Sequence, residues 1–401
     1  YYTDSSPVLS DSTKKCGTDV YVGTQSQAGE KNFMAVSPDG QYLYAGSEIL
    51  CSRGITRINV DENSADYGCA TIFVGGKKYN NYNVDGVGTN VEFAGAALFN
   101  GGGISPDGTK LVLGATGGYA IRLIDISTRQ VTTILGSASG SYSPQPSMPS
   151  HAQMGHGTQE MGNQNMHQLS LSEVRSMYDG MGTQWGNTAR DFGPQWPQFS
   201  QDGSHVYWIG YYQHTGYYSG AMRYYLFRKI NLNTGVVTTL HTFPTQYRSE
   251  GGTVIPYDFA FVNDVAIIHA RARTLNFNGY ANPSGTMTSF GNLGGTSYGI
   301  IKMNSDGSVP TDWKLVEDGG GTCSISASQT QGSHTCCNKD GPLSSMELGS
   351  FSNLNGFAVY QNRIVMTEYN AAFVRQFDLA TSHACYECPL GMSSPAGSTS
   401  I

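Results

Sequence analysis

Ser105-Pro106-Asp107-Gly108-Thr109-Lys110-Leu111-Val112-Leu113-Gly114 is the stretch from which the fold is read. Pro106 presets φ for a turn, Asp107 bonds its own backbone, and Gly108 takes the positive φ that reverses the chain into an alternating strand. The same turn and strand recur at Ser37-Pro38-Asp39-Gly40, before Gln41 to Gly46, and at Ser200-Gln201-Asp202-Gly203, before His205 to Gly210. Weaker copies stand at Val262-Asn263-Asp264 and Tyr360-Gln361-Asn362. After each comes a second strand: Ile55 to Val60, Ile121 to Ile126, Phe227 to Leu232, Ile300 to Asn304 and Val374 to Leu379. Each carries apolar residues with a basic residue among them, and Asp or Asn at the following turn. A β-branched strand then closes the unit at Ala70 to Gly75, Val131 to Gly136 and Val236 to Leu240, with a less regular example at Asp312 to Val316. Alternation of β-branched residues is what a half-buried strand requires.

Five such units predict an all-β fold, a β-propeller of four-stranded blades with five blades legible. A sixth blade has room only in 137–190, which shows no strand alternation. Val20-Tyr21-Val22-Gly23 reads as an outermost strand without its own blade, and the last blade, near 356–379, lacks a clear fourth strand. Joining the two closes the ring and leaves no sheet edge open. Ser170-Leu171-Ser172-Glu173 is a capping box followed by Val174, Met177 and Tyr178 at helical spacing, which predicts one short helix packed on the propeller.

Composition narrows the class. The chain has 401 residues, 51 of them Gly and 25 Tyr, with 13% charged residues and a net charge of −7. So low a charge, slightly acidic and without a basic cluster, argues against nucleic acid and anionic membrane surfaces as partners. The longest apolar runs, such as Val265-Ala266-Ile267-Ile268, are too short to span a bilayer. The chain begins at Tyr1 without a signal-peptide pattern and is read as a processed or trimmed form. Eight cysteines, Cys16, Cys51, Cys69, Cys323, Cys336, Cys337, Cys385 and Cys388, lack the two-pair spacing of a zinc site. Their even number, with low charge and Gly/Ser/Tyr-rich loops, places the chain in an oxidising, extracellular setting, secreted or at a cell surface. Eight cysteines allow 105 pairings; Cys51–Cys69, flanking the second strand of the first unit, is the favoured one.

Asp85-Gly86-Val87-Gly88-Thr89-Asn90-Val91-Glu92-Phe93, followed by Gly103 to Gly108, Ile121 to Asp125 and Val131 to Ile134 with Gly136, resembles an NHL-repeat β-propeller. The match is good over 85–136 and partial at 224–240 and 351–379. At the other end, Cys385-Tyr386-Glu387-Cys388-Pro389-Leu390-Gly391-Met392 and the residues after it resemble the opening of an ephrin-receptor-like cysteine-rich repeat. The resemblances imply a propeller over 1–380, with 137–190 a Pro/Met/His/Gln-rich insertion, and a cysteine-rich module starting at 381–401 and continuing beyond Ile401.

Chemistry is sparse. Propeller lyases similar to this family hold a metal through His near the central channel, but His205, His214, His241 and His269 have no acidic or His partner at a repeated offset and are read as structural. Asp61, Asn63 and Asp66 lack the glycine and terminal Glu of a calcium loop. Met148, His151, Met154, His156, Met161, Met166 and His167 suit copper by ligand type but have no regular spacing. No nucleophile elbow or phosphate loop occurs, so no catalytic residue, metal or cofactor is assigned. Ser143, Pro144, Pro146 and Pro149 lie in an extended Pro/Ser stretch suited to O-glycosylation; no Asn-x-Ser/Thr sequon is present.

The function expected is therefore that of a secreted structural or adhesive module, a building block of an extracellular fibre or surface assembly, comparable by analogy with flagellar hair-like fibres. Its partners would be other protein subunits and glycans. Tyr211, Tyr212, Tyr217 and Tyr218 are the contact candidates, because Tyr gives large contact area at small entropic cost. Two alternatives are a propeller lyase or hydrolase with a metal in the central channel, and a ligand-binding receptor ectodomain.

Overall fold

The computed structural model describes residues 33–49, 52–78, 83–93, 99–115, 120–136, 170–187, 189, 191, 193–215, 221–243, 253–262, 264–273, 280–281, 287–288, 296–308, 354–360, 363–368, 373–378 and 384–386. They form antiparallel sheets arranged as propeller blades, with one short α-helix.

The first sheet runs β1 (Met34–Val36), β2 (Tyr42–Ile49), β3 (Ser52–Asn59) and β4 (Ala70–Lys78), in chain order. The second contains β5 (Gly86–Val87), β6 (Phe99–Ile104), β7 (Lys110–Ala115), β8 (Ala120–Asp125) and β9 (Gln130–Leu135), in the order β5-β9-β8-β7-β6. Helix α1 (Leu171–Tyr178) precedes the third, made of β10 (Gly180–Met181), β11 (Gln195–Phe199), β12 (His205–Thr215), β13 (Ala221–Asn231) and β14 (Val236–Thr242), in the order β10-β14-β13-β12-β11. The fourth joins β15 (Thr253–Val262), β16 (Val265–Arg273) and β19 (Thr296–Asn304), with the two-residue strands β17 (Tyr280–Ala281) and β18 (Met287–Thr288) paired between them in sequence. The fifth runs β20 (Leu354–Tyr360), β21 (Arg363–Glu368), β22 (Phe373–Asp378) and β23 (Ala384–Tyr386). The chain divides into two compact units: the first three sheets lie mainly in one, the last two in the other.

The repeated turns form as their chemistry dictates. In the first, Ser37 Oγ donates to Asp39 Oδ1 (2.5 Å) and accepts from the Tyr42 N–H (2.9 Å), while the Gln41 N–H donates to Asp39 Oδ1 (3.0 Å). Ser105 with Asp107, and Ser200 with Asp202, repeat these bonds. Gly40, Gly108 and Gly203 hold φ of +73°, +72° and +71°, the left-handed region where a side chain is penalised. The Ser hydroxyl and the backbone N–H pull the Asp107 and Asp202 carboxyls down to about 2.

Alternation along β7 separates two cores in the first unit. Leu111 and Leu113 join Phe33, Tyr44, Ile55, Phe73 and Phe93 on one side, and Val112 joins Phe199, Val206, Trp208 and Ile230 on the other. A strand buried on both faces is what stacked blades demand. Helix α1 has the expected capping box: the Ser170 side chain accepts from the Glu173 N–H, and the Glu173 carboxylate accepts from the Ser170 N–H. It buries Val174 and Tyr178, and Arg175 Nε donates to the Thr239 carbonyl (2.7 Å), fixing the helix to β14.

Two expectations change, and a third becomes a prediction. The stretch 137–190 does contain a strand: β10 is only two residues long, too short for alternation to register, and it pairs Gly180 with Val237 and Met181 with Val236. The fourth place in the last sheet is filled by β23, which carries Cys385 and lies in the segment assigned to the cysteine-rich module. That place was expected for Val20–Gly23, which lie outside the described residues. Finally, Cys69 is disulfide-bonded, but the β3–β4 register works against the favoured partner. Ser52 pairs with Lys78, whereas the Asn59 N–H donates to the Cys69 carbonyl. Cys51 itself lies outside the described residues, yet from the neighbouring Ser52 to Cys69 the gap is the length of β3, about 23 Å at ~3.3 Å per residue. A disulfide tolerates at most ~7 Å between Cα atoms. Peptide mapping under non-reducing conditions is expected to link Cys69 to a cysteine other than Cys51; recovery of a Cys51–Cys69 peptide would refute this register.

Candidate functional site

Two features stand out: a buried guanidinium in each of two blades of the first unit, and a backbone bulge repeated in β6, β11, β15 and β20.

The basic residue embedded in the apolar strands β8 and β13 is wholly buried in both, as Arg122 and Arg228. Burial of a charge requires a full set of partners. Arg122 Nη2 lies 2.8 Å from Asp85 Oδ1 and donates to the Val84 carbonyl (3.0 Å), while Nη1 donates to Asn83 Oδ1 (3.1 Å). Asp85 accepts from both the N–H and the hydroxyl of Thr133, at 2.8 Å each. Nε of Arg122 is buried without a partner. Burial pulls this guanidinium down and Asp85 pulls it back up.

The third sheet repeats the device with equivalent residues. Arg228 Nη2 donates to the Tyr178 carbonyl (2.7 Å) and lies 3.5 Å from Asp179 Oδ1. Asp179 accepts from the Thr239 N–H (2.8 Å), and Thr239 Oγ1 accepts from Arg228 Nε (3.1 Å). A second acid is added here: Asp191 Oδ2 sits 2.8 Å from Arg228 Nη1 and accepts from Trp208 Nε1 (2.7 Å), while its Oδ1 accepts from the Gly193 N–H (3.0 Å). A side chain at Gly210 would lie 2.3 Å from Asp191 Oδ2, so only glycine fits there. Sequence inspection noticed the basic residue and missed its acids. The signal was present: Asp85-Gly86-Val87-Gly88-Thr89 and Asp179-Gly180-Met181-Gly182-Thr183 are one motif, each starting the edge strand that holds the arginine.

The bulge recurs in four strands. Register slips between Phe99 and Gly102 in β6, Gln195 and Gln198 in β11, Pro256 and Asp258 in β15, and Leu354 and Gly356 in β20. In β6 the left-handed bulge residue is Gly101, φ +75°; in β11 it is Trp196, φ +48°. The two lie against each other: a Cβ at Gly101 would come within 2.6 Å of Trp196 Cδ1. Gln198 Nε2 donates to the Gly102 carbonyl (3.0 Å).

In the second unit, the bulge in β15 is followed by Asp258, opposite His269 in register. Desolvation pushes the Asp258 carboxyl up to about 8 against the single N–H of Phe259 that donates to it (2.7 Å).

Of the histidines, His205 Nδ1 is 2.6 Å from Ser204 Oγ and Nε2 is 3.1 Å from Asn231 Nδ2, tying the ring to its turn. His241 is buried beside Phe243, ring centroids 5.1 Å apart. His214 and His269 are described only as positions in β12 and β16. Asp61 Oδ1 accepts from the Asn63 N–H (2.9 Å) within a turn. Among the described residues no three His, Cys, Asp or Glu side chains gather as a metal site. Tyr211 and Tyr212 fall in β12; Tyr217, Tyr218, Ser143, Pro144, Pro146, Pro149 and the Met/His series from Met148 to His167 lie outside the described residues.

No protein-family model and no curated protein matches the chain. Among solved structures it is similar to the nidogen/laminin complex, at 8% identity over 88% of this chain and 79% of that one, TM-score 0.43. It is also similar to the Pseudomonas aeruginosa periplasmic gluconolactonase (12%, 90% and 69%, 0.38) and the Cps50 β-propeller domain of Myceliophteria thermophila (9%, 90% and 73%, 0.35).

Proposed function

We propose that the chain is a secreted structural or adhesive propeller module, a building block of an extracellular fibre or surface assembly, whose NHL-type blades lead into an ephrin-receptor-like cysteine-rich repeat. Its partners are other protein subunits and glycans. The observation that carries this reading is the division of labour among side chains. Arg122 and Arg228, with their acids, are committed to bracing blades from within, while large apolar residues stand open on strands: Met34 at 65% exposure, Val36 at 53%, Val87 at 47% and Val236 at 44%. Scattered exposed apolar residues are ordinary; on so weakly charged a rigid scaffold they suit stacking against further subunits. Light scattering coupled to size exclusion is the test. The expected result is a mass above 43.1 kDa that rises with protein concentration; a monomer throughout the range overturns the building-block reading.

A second reading, a propeller hydrolase or lyase, draws on Asp258, whose desolvated carboxyl near neutrality has the character of a general acid. A stoichiometric metal ion in the purified protein, found by elemental analysis, would favour it over the first.

A further inference from the structure

Trp196 stands where the sister blade has Gly101. Each is the left-handed residue of its strand's bulge, four residues before the Ser of the following turn, a conformation that glycine adopts freely and a bulky residue adopts only at a cost. Pro197 follows Trp196, and a residue before proline is driven toward extended backbone, so the strain is compounded. Such outliers persist where the side chain serves a purpose the backbone opposes.

The surroundings indicate the purpose. Trp196 is only partly buried, and its indole N–H finds no acceptor among the described residues. Gln195 beside it is also partly exposed with an uncommitted amide, and the Gln198 amide uses only Nε2, on the Gly102 carbonyl. Neither β6 (Phe-Asn-Gly-Gly-Gly-Ile) nor β11 (Gln-Trp-Pro-Gln-Phe) contains a charged residue, and Asp191 nearby is fully engaged by Arg228 and Trp208. A partly exposed indole with neutral amides on the same strand suits a sugar's C–H face and its hydroxyls. It offers nothing to a phosphate or carboxylate. We infer that Trp196, Gln195 and Gln198 form a subsite for a neutral saccharide on the first strand of the third blade. This site is independent of the self-assembly reading, since a monomer would carry it.

The test uses the full chain against β-1,4-linked gluco-, manno- and galacto-hexaoses, with the neutral peptide Ser-Pro-Gln-Pro-Ser-Met-Pro-Ser as comparison, read by calorimetry and tryptophan emission. At least one hexaose is expected to bind, and Trp196→Gly and Gln195→Ala each to weaken it by about tenfold or more. Because glycine suits the bulge, Trp196→Gly should keep or raise the Tm, which a purely structural wedge would not. No binding of any hexaose, binding unchanged in both variants, or binding of the peptide alone overturns the proposal. Should Trp196→Gly fail to fold, Gln195→Ala decides: lost binding in a folded protein supports it, and unchanged binding overturns it.

Discussion

Asp191→Ala is expected to destabilise the protein by about 3–5 kcal/mol, the range for removing one partner of a buried ion pair. At roughly 2–4 °C per kcal/mol for a domain of this size, the Tm should fall by roughly 6–20 °C. The magnitude follows from what is left behind. Arg228 is fully buried and would keep its charge without the carboxylate that Asp191 holds 2.8 Å from Nη1; Trp208 would lose the acceptor of its indole N–H at the same time. Water is poorly placed to substitute, because the Asp191 side chain is itself only 1% exposed. Asp85→Ala in the second sheet is the informative contrast. Its partner Arg122 is equally buried, but Asp85 is 26% exposed, so solvent can reach the vacated space and the loss should be smaller. Replacing Arg228 by Met together with Asp191 by Leu should recover part of the loss, since it removes the orphaned charge but leaves Trp208 without its acceptor and Asp179 without its cation. Thermal unfolding followed by circular dichroism measures all three. Equal effects at Asp191 and Asp85, or a loss below about 1 kcal/mol at Asp191, would show that the buried guanidinium is not the brace described.

How far the sequence revealed this depended on the length over which each element repeats a pattern. The Ser-x-Asp-Gly turns, the middle strands and the capped helix each set a local rule across four or more residues, and all were legible. The bulged strands β6 and β11 were not. Asn100-Gly101 in β6 and Trp196-Pro197 in β11 place two residues opposite one, so the two-residue alternation breaks at the bulge, and Gly and Pro there read as loop. Strand β10 failed for the opposite reason: two residues carry no period at all. Its identity was recoverable only by matching Asp179-Gly180-Met181-Gly182-Thr183 to Asp85-Gly86-Val87-Gly88-Thr89. Once that is done, the acid for each buried arginine follows. The second acid, Asp191, has no such signal, since its role comes from packing beneath Trp208. Trp196 could be read as a strand aromatic; only its φ, set beside that of Gly101, marks it as unusual.

The pH dependence of stability should be governed in part by two groups in the second unit that pull in opposite directions. Burial raises Asp258 from an ordinary 3.8 to about 8 and lowers His241 from 6.5 to about 4. Between about pH 4 and 8 the folded chain keeps the Asp258 proton that the unfolded chain has released, so stability falls as pH rises through this window. His241 works the other way: the unfolded imidazole takes up a proton below 6.5 while the folded one stays neutral until about 4, so stability falls as pH drops through that window. The two slopes oppose each other below 6.5, and from there to 8 only the Asp258 slope remains. The wild-type Tm should therefore decline from pH 6.5 to 8, beyond which the penalty is constant. Asp258→Asn removes the ionisation and keeps the shape, with an amide oxygen still able to accept from the Phe259 N–H. The variant should exceed wild type at pH 8.5 by on the order of 1–3 kcal/mol, and show little advantage near pH 4, where the wild-type carboxyl is protonated in the folded state. Tm profiles for the two proteins should therefore diverge as pH rises. Parallel profiles across pH 4 to 8.5 would mean that Asp258 ionises in the folded protein as an ordinary carboxyl does, and the hydrolase reading would lose the group on which it rests.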